Sequence, residues 1–294
     1  MTGHILVTGG SGQLASALAT AAGVVRIGRP DFDFDRPDTI EASFRAAAPR
    51  IVVNAAAYTA VDAAETDAAA AYRANRDGPA ILARLCEAAD IPLIHVSTDY
   101  VFDGTKTDPY TESDPVAPQG VYGASKLAGE DAVLASGAKA IILRTAWVYG
   151  ATGKNFVRTM LTLSKTRPRL TVVGDQHGCP TTAFDLASAI MAIIARLDST
   201  GWQPEYRGVF HAAGSGATTW FGLAAATFQE AARFGAPVPE VVPIAAAEWP
   251  APAKRPANSQ LDCTRLHEVF GVRLPPWRES LTRTVETIFA TPQP

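Results

Sequence analysis

Short runs of uninterrupted apolar residues alternate with longer stretches of helical spacing through the first half of the chain. Ile5-Leu6-Val7-Thr8 leads through Gly9-Gly10-Ser11-Gly12 into an Ala/Leu-rich stretch from Gln13 to Ala22, which predicts strand, tight turn and helix. The pattern recurs as Val24 to Ile27 with a helix around Thr39 to Ala47, Ile51 to Val53 with a long helix from Asp67 to Ala89, and Leu93 to Val96 with a helix from Tyr122 to Leu134; Ala140 to Leu143 closes the series. The strands lack polar alternation, as expected when both sheet faces are covered, and the helices between them are what parallel pairing requires. Residues 1–150 are therefore expected to form a doubly wound parallel α/β sheet.

Beyond about Gly150 the order loosens. Helices are predicted near Phe156 to Ser164, from Phe184 to Leu197, over Trp220 to Arg233 and over Glu279 to Phe289, with strands near Leu170 to Val173, Val209 to Ala212 and Val241 to Ile244. Residues 151–294 read as a smaller mixed α/β substrate domain, its boundary with the first interleaved. Pro250, Pro252 and Pro256 mark a loop and not a linker, because apolar pattern resumes on both sides.

Composition narrows the class. At 294 residues, 47% hydrophobic and 19% charged, with 23 Gly and 21 Pro, the chain can bury a core without covalent staples, and disorder and collagen-like repeats are excluded. A formal charge of -3 leaves no cationic surplus for a polynucleotide, so no nucleic-acid partner is expected, although local Arg or Lys can hold a small phosphorylated ligand. Cys86, Cys179 and Cys263 form no CxxC pair and read as reduced, buried small hydrophobes. Met1-Thr2-Gly3-His4 carries no cationic leader, and the apolar stretch Ala183 to Ala195 is interrupted by Asp185 and shorter than the ~20 residues of a membrane span. A cytoplasmic location with no membrane segment is the expectation.

Gly9, Gly12 and Ala15 put small residues at three positions where a dinucleotide-binding turn needs them. The first permits the tight turn, the second lets backbone approach a pyrophosphate, and the third lets the helix pack close to the sheet. A plain Gly-rich turn is the bland alternative, which the strand before and helix after disfavour. The expectation is a Rossmann-type fold, with Gln13 and Leu14 of that turn counted in the cofactor site. At ~20 residues past the first glycine, where Asp or Glu favours NAD and Arg favours NADP, stands Arg29. Its fork of donors suits a 2′-phosphate, so NADPH is expected; Asp31 in a shifted register would take the ribose instead, which keeps NADH open. Asp33 and Phe34 would then contact adenine by carboxylate and ring, or else form a helix-capping loop.

Tyr122-Gly123-Ala124-Ser125-Lys126 sets a phenol and an ammonium one helical turn apart, on one face. A nearby cation favours phenolate and lowers the pKa of a tyrosine, so Lys126 is expected to tune Tyr122 as the acid. Ser97-Thr98-Asp99-Tyr100 follows the fourth strand at the carboxyl edge of the sheet, where Thr98 can donate to a carbonyl oxygen on which charge grows. A strand-end Asx or Ser/Thr turn is the alternative for Thr98 and Asp99.

Together with Asn54-Ala55-Ala56-Ala57, Ser97 to Phe102 and Arg144-Thr145-Ala146-Trp147-Val148-Tyr149, these motifs resemble the extended short-chain dehydrogenase/reductase superfamily. More narrowly they resemble its dTDP-4-dehydrorhamnose reductase family, through Gly153-Lys154-Asn155-Phe156, Asp175 to Thr181 and Arg255-Pro256-Ala257-Asn258-Ser259. The resemblance implies reduction of the C4 ketone of dTDP-4-dehydro-β-L-rhamnose to dTDP-β-L-rhamnose. It implies that Tyr122 protonates the forming alkoxide, that Lys126 also holds the nicotinamide ribose, and that Thr98 binds the ketone oxygen. Ala55, Ala56 and Ala57 fall in the implied cofactor site; Asp99, Val101 and Trp147 would line the sugar; Asn155, Arg255 and Asn258 would serve the nucleotide-sugar side, with Arg255 the cation for the diphosphate. His177 and His211 are expected to be structural.

Some relatives place an acid on the first helix to help hold magnesium between subunits, but Gln13 to Ala22 has none, so no metal is expected and a homodimer stays open. Tyr100 stands where a dehydratase of the superfamily carries Glu, which favours net reduction over dehydration. The rival readings are a nucleotide-sugar epimerase and a non-catalytic cofactor-binding subunit like the regulatory subunit of methionine adenosyltransferase. Intact Thr98, Tyr122 and Lys126 argue against the latter.

Overall fold

The computed structural model describes residues 3–290; Met1 and Thr2, at the head of the segment read for a leader, lie outside the described residues. Five strands from the first half, β1 (Ile5–Thr8), β2 (Val24–Ile27), β3 (Ile51–Asn54), β4 (Leu93–Thr98) and β5 (Ala140–Thr145), share one sheet with β6 (Gly208–His211). The order is β6-β5-β4-β3-β1-β2 and every pairing is parallel. Thr8 pairs with Ile27 and with Asn54, which brings three carboxyl ends to one edge.

Among the helices are α1 (Gln13–Leu18), α2 (Pro37–Ala47), α3 (Gly78–Ala88), α4 (Val121–Ala135), α5 (Phe156–Ser164), α6 (Ala183–Thr200), α7 (Trp220–Ala232) and α8 (Trp277–Ala290). Alternate strand residues feed two apolar layers. Ile5, Val7, Ile141 and Leu143 pack with α1, α6 and Leu266, Phe270 and Leu274. Leu6, Val52 and Ile142 pack on the other face with Ile40 and Phe44 of α2, Leu82 and Cys86 of α3, and Val133 of α4. Covering both faces explains why the strands read as unbroken apolar runs. Helices α5, α7 and α8 enclose a separate cluster of Tyr149, Val157, Leu223 and Leu281.

Three elements depart from the sequence expectation, the first being α1, which was expected to reach Ala22 and ends at Leu18. The helix expected from Asp67 to Ala89 is divided into Ala68–Tyr72, a π-helical stretch Arg73–Asp77, and α3. Pro79 lacks the N–H that an α-helix would direct to the Asn75 carbonyl, and its ring crowds that carbonyl, so the turn widens instead. The strand expected over Val209 to Ala212 forms at Gly208–His211 but joins the main sheet, with Val209 opposite Ile142. A short helix, Thr264–Phe270, was below the length at which periodicity speaks; it buries Leu266 and Phe270. No helix among the described residues is long and apolar enough to cross a membrane.

Candidate active site

The strand order turns back between β1 and β3, and ligands of open α/β sheets sit above the carboxyl ends at such a switch. A cavity of about 970 Å³ lies there, lined by Gly9 to Leu14, Gly28, Arg29, Phe34, Ala55 to Ala57, Thr98, Tyr122 and Lys126 among others. Gly9 has φ of +110°, and a Cβ on it would lie 3.0 Å from the Ala55 carbonyl, so the chain after β1 can take this path only without a side chain. A Cβ on Gly28 would fall 2.4 Å from the Gly10 Cα. Backbone thus crowds backbone on one side of the turn and leaves its other side open to the cavity, which fits a bound dinucleotide.

At the far end, the Phe34 ring covers Gly78, where a Cβ would come within 2.1 Å of Phe34 Cδ1. Arg29 lines the cavity while donating to Asp33 at 2.9 Å and Asp35 at 2.7 Å. Asp33 is not on the cavity wall as the adenine reading required. It accepts the Asp35 amide at 3.0 Å, and that bond, with the Arg29 guanidinium, holds its carboxyl below the usual range.

Strand β4 ends at Thr98, whose hydroxyl donates to Asp99 Oδ1 at 2.9 Å and accepts from the Tyr100 amide at 3.2 Å. Tyr122 stands in the first turn of α4, edge-on to Tyr100 with ring centroids 5.5 Å apart. One turn on, the Lys126 ammonium is buried and donates to the Val96 carbonyl at 2.7 Å. Burial lowers Lys126 to about 8, opposed by the Glu130 carboxylate. Glu130 is itself gripped by Arg144, at 2.6 Å to Nη2 and 3.0 Å to Nε, and by the Ser97 hydroxyl.

The expected lowering of Tyr122 by Lys126 is not what the structure gives. Burial pushes Tyr122 up to about 12; the Thr98 hydroxyl opposes the rise and the Asp99 carboxylate adds to it. A phenolate loses more by leaving water than the lysine, itself desolvated and committed to a carbonyl, returns. Asp99, on the cavity wall, is raised by burial to about 6, with the Ser259 and Thr98 hydroxyls opposing.

Trp147 has φ of 50° and stacks on Trp220 with centroids 3.6 Å apart, both on the cavity wall. Its ring lies over Gly178, where a Cβ would be 2.3 Å from Trp147 Cε2. Trp220 also lines a second cavity of about 1220 Å³, with Phe156, Met160, Leu170, Trp249 and Arg255. Arg255 donates to Asp62 at 2.9 Å and reaches the Tyr100 hydroxyl, so it stands between the two cavities.

Three residues assigned to the substrate lie off both walls. Val101 is wholly buried among Phe102, Tyr110 and Leu261. Asn155 caps α5 by accepting from the Arg158 amide at 3.1 Å, while its own amide donates to Gln13 Oε1 at 3.0 Å and to the Gly150 carbonyl at 2.9 Å. Asn258 spends its amide on the Lys106 and Asp108 carbonyls at 2.8 and 3.0 Å. Each amide is consumed locally because an unpaired buried donor is costly. His211 is buried, its Nδ1 at 3.0 Å from the Tyr110 carbonyl. His177, exposed on the central strand of a small three-stranded sheet, lines neither cavity.

Wall residues that the sequence reading left out include Tyr58, Thr59, Tyr100, Lys154 and Trp220. Lys154 adjoins Asn155 in the Gly153–Phe156 motif, and a cation beside that glycine was the available signal. Trp220 had none, since it meets Trp147 only through the tertiary fold. Among the described residues no group of three or more His, Cys, Asp or Glu is placed to hold a metal ion.

A parallel sheet with a glycine turn at its switch point, and a Tyr/Lys pair and threonine facing the same cavity, define a dinucleotide-binding protein of the short-chain dehydrogenase/reductase type. Residues 3–289 match the family model described as the RmlD substrate binding domain, and the chain belongs to that family. It is 46% identical over 286 residues to a Sinorhizobium fredii protein named dTDP-4-dehydrorhamnose reductase, with 96% of each chain covered. A Clostridium acetobutylicum structure of that name is similar at TM-score 0.88 and 37% identity, covering 96% of this chain and 98% of its own. A Bacillus anthracis structure of that name, in complex with NADP, is similar at TM-score 0.88 and 33% identity, covering 97% of this chain and 99% of its own.

Proposed function

We propose that this protein is an NADPH-dependent reductase that converts the C4 ketone of dTDP-4-dehydro-β-L-rhamnose to the alcohol, giving dTDP-β-L-rhamnose. The observation that carries the reading is the meeting of Thr98, Tyr122 and Lys126 with the glycine turn in one cavity. When bound, the nicotinamide supplies the hydride that reaches C4.

Tyr122 supplies the proton. With its pKa at about 12 the phenol is fully protonated at neutral pH, and an alkoxide is more basic still, so transfer from phenol to alkoxide runs downhill. Lys126 carries charge below pH of about 8 and adds a positive field to the wall where negative charge develops. Thr98 has one hydroxyl proton, directed at Asp99, and a ketone oxygen in the cavity competes with that carboxylate for it. Gly9, Gly12, Gln13 and Leu14 would hold the pyrophosphate with Lys154 as its cation, and Arg29 would meet the 2′-phosphate.

The stacked pair Trp147 and Trp220 offers a flat wall to the sugar. Arg255 supplies the cation for the diphosphate, and the second cavity, with Phe156 and Trp249, would take the nucleoside. The test is a spectrophotometric assay with the 4-keto sugar and each reduced cofactor in turn. Stoichiometric oxidation of NADPH is expected; a protein that binds NADPH yet never oxidises it with this ketone is a binding subunit and not a reductase.

A further inference from the structure

Two arginines share one carboxylate at the adenosine end of the cavity. Arg29 donates from Nη2 to Asp35 Oδ2 at 2.7 Å, and Arg73, at the start of the π-helical stretch, donates from Nε to Asp35 Oδ1 at 2.9 Å. Both oxygens of Asp35 are therefore committed to guanidinium groups. Arg29 is on the cavity wall, as are Phe34, which immediately precedes Asp35, and Ala74, which immediately follows Arg73. The side chains are open to solvent, 67% for Arg29 and 48% each for Arg73 and Asp35, so these ion pairs are weak and exchange readily for a better anion.

We infer that Asp35 is a specificity-determining residue, whose carboxylate occupies the two guanidinium groups otherwise open to a 2′-phosphate and so narrows the preference for NADPH over NADH. The inference rests on the reading of this cavity as a nicotinamide-dinucleotide site. A phosphate monoester carries about -1.5 to -2 charges at neutral pH, and to pair with Arg29 and Arg73 it must displace Asp35 or sit beside it against like charge. An unphosphorylated ribose makes no claim on either guanidinium group and leaves both ion pairs in place. Asp35 thus penalises one dinucleotide and not the other.

Arg73 becomes the second cation of the phosphate subsite, carried on an element remote in sequence from the β2 end. Arg36 faces the far side of the cluster, 3.9 Å from Asp33 Oδ2 and bonded to the Pro30 carbonyl. Three guanidinium groups against Asp33 and Asp35 leave one positive charge, which loss of the Asp35 charge would double.

The experiment measures dissociation constants for NADPH, NADH and 2′,5′-ADP, by quenching of tryptophan fluorescence, in the unaltered protein and in the exposed-site variants Asp35→Asn and Arg73→Gln. Asp35→Asn should raise the NADH-to-NADPH ratio of dissociation constants about five- to tenfold, with 2′,5′-ADP tightening in parallel. Arg73→Gln should lower the ratio by a similar factor. Variants that bind both dinucleotides with the original ratio, or with both affinities moved equally, overturn the role of Asp35 and leave the reductase reading standing. Failure of the unaltered protein to bind either dinucleotide overturns the reductase reading, and this inference with it.

Discussion

Burial sets Tyr122 and Lys126 against their usual ionisation in opposite senses, and both shifts bear on reduction. The phenol held at about 12 is a proton store at neutral pH, so Tyr122→Phe should lower kcat about 10²- to 10⁴-fold while the NADPH dissociation constant, read by fluorescence, stays within about a factor of two. Lys126 loses its charge as pH rises through about 8, so kcat/KM for ketone reduction should fall above that value. The stability effect has the opposite sign. The folded-state pKa of Lys126 lies below its ordinary 10.5, so the unfolded chain binds the extra proton between about 8 and 10.5, and this group's contribution to stability rises with pH across that window. At pH 7 the buried ammonium is a cost. Lys126→Met should therefore raise unfolding free energy by about 1–3 kcal/mol in urea titration while turnover collapses; a destabilised variant would show that the Val96 hydrogen bond outweighs desolvation. The Tyr122–Lys126 relationship is legible in the sequence because helical spacing fixes it; the direction of the Tyr122 shift is not, because burial is a property of the assembled fold.

Helix α4 carries the pair and is clamped at two glycines. A Cβ on Gly123 would lie 2.2 Å from the Tyr100 carbonyl oxygen, and one on Gly129 would lie 1.9 Å from that of Asn75. Both obstacles are backbone and cannot swing aside. Helix propensity alone assigns Gly→Ala a gain of about 1 kcal/mol in a helix interior. Here Gly123→Ala and Gly129→Ala should each cost about 1–3 kcal/mol in thermal or urea unfolding, since overpacking must be relieved by moving the helix. Gly123→Ala should also depress kcat, because it forces Tyr122 away from Tyr100. The strands and most helices of this fold are legible as apolar period, and Phe156–Ser164 coincides with its expected span. The π-helical stretch that meets Gly129 is not, although Gly78-Pro79 stood in the sequence as a breaker. What a breaker does depends on what packs against it, and the Asn75 side chain, bonded to the Tyr58 amide at 2.8 Å and to Ser125 Oγ at 2.9 Å, favours a widened turn over a helix end.

Across the whole molecule, chain order and spatial order part company after Gly150, and elements from beyond that residue pack into the sheet that the first half builds. Helix α6 packs Leu186, Ile190, Ile193, Ile194 and Leu197 into the cluster that holds Ile5, Val7, Ile141 and Leu143. Strand β6 closes the edge beside β5, with Phe210 opposite Leu143. Asn155 ties the second half to the dinucleotide turn through Gln13, and the stacked wall of the cavity takes Trp147 from one half and Trp220 from the other. Apolar period reveals that Phe184 to Leu197 and Val209 to Ala212 are a helix and a strand, but partner choice is set by which exposed face remains to be covered, and that is not written locally. A fragment ending at residue 150 would keep only α1 on one sheet face and leave the β5 edge unpaired, exposing apolar surface that such a chain cannot otherwise bury. It should therefore show no cooperative urea transition by near-ultraviolet circular dichroism and no NADPH binding, whereas the whole chain should show both. A fragment with a sharp transition and retained affinity would mean that α6 and β6 are dispensable to the sheet, and that the interleaving seen here adds the substrate side without stabilising the cofactor side.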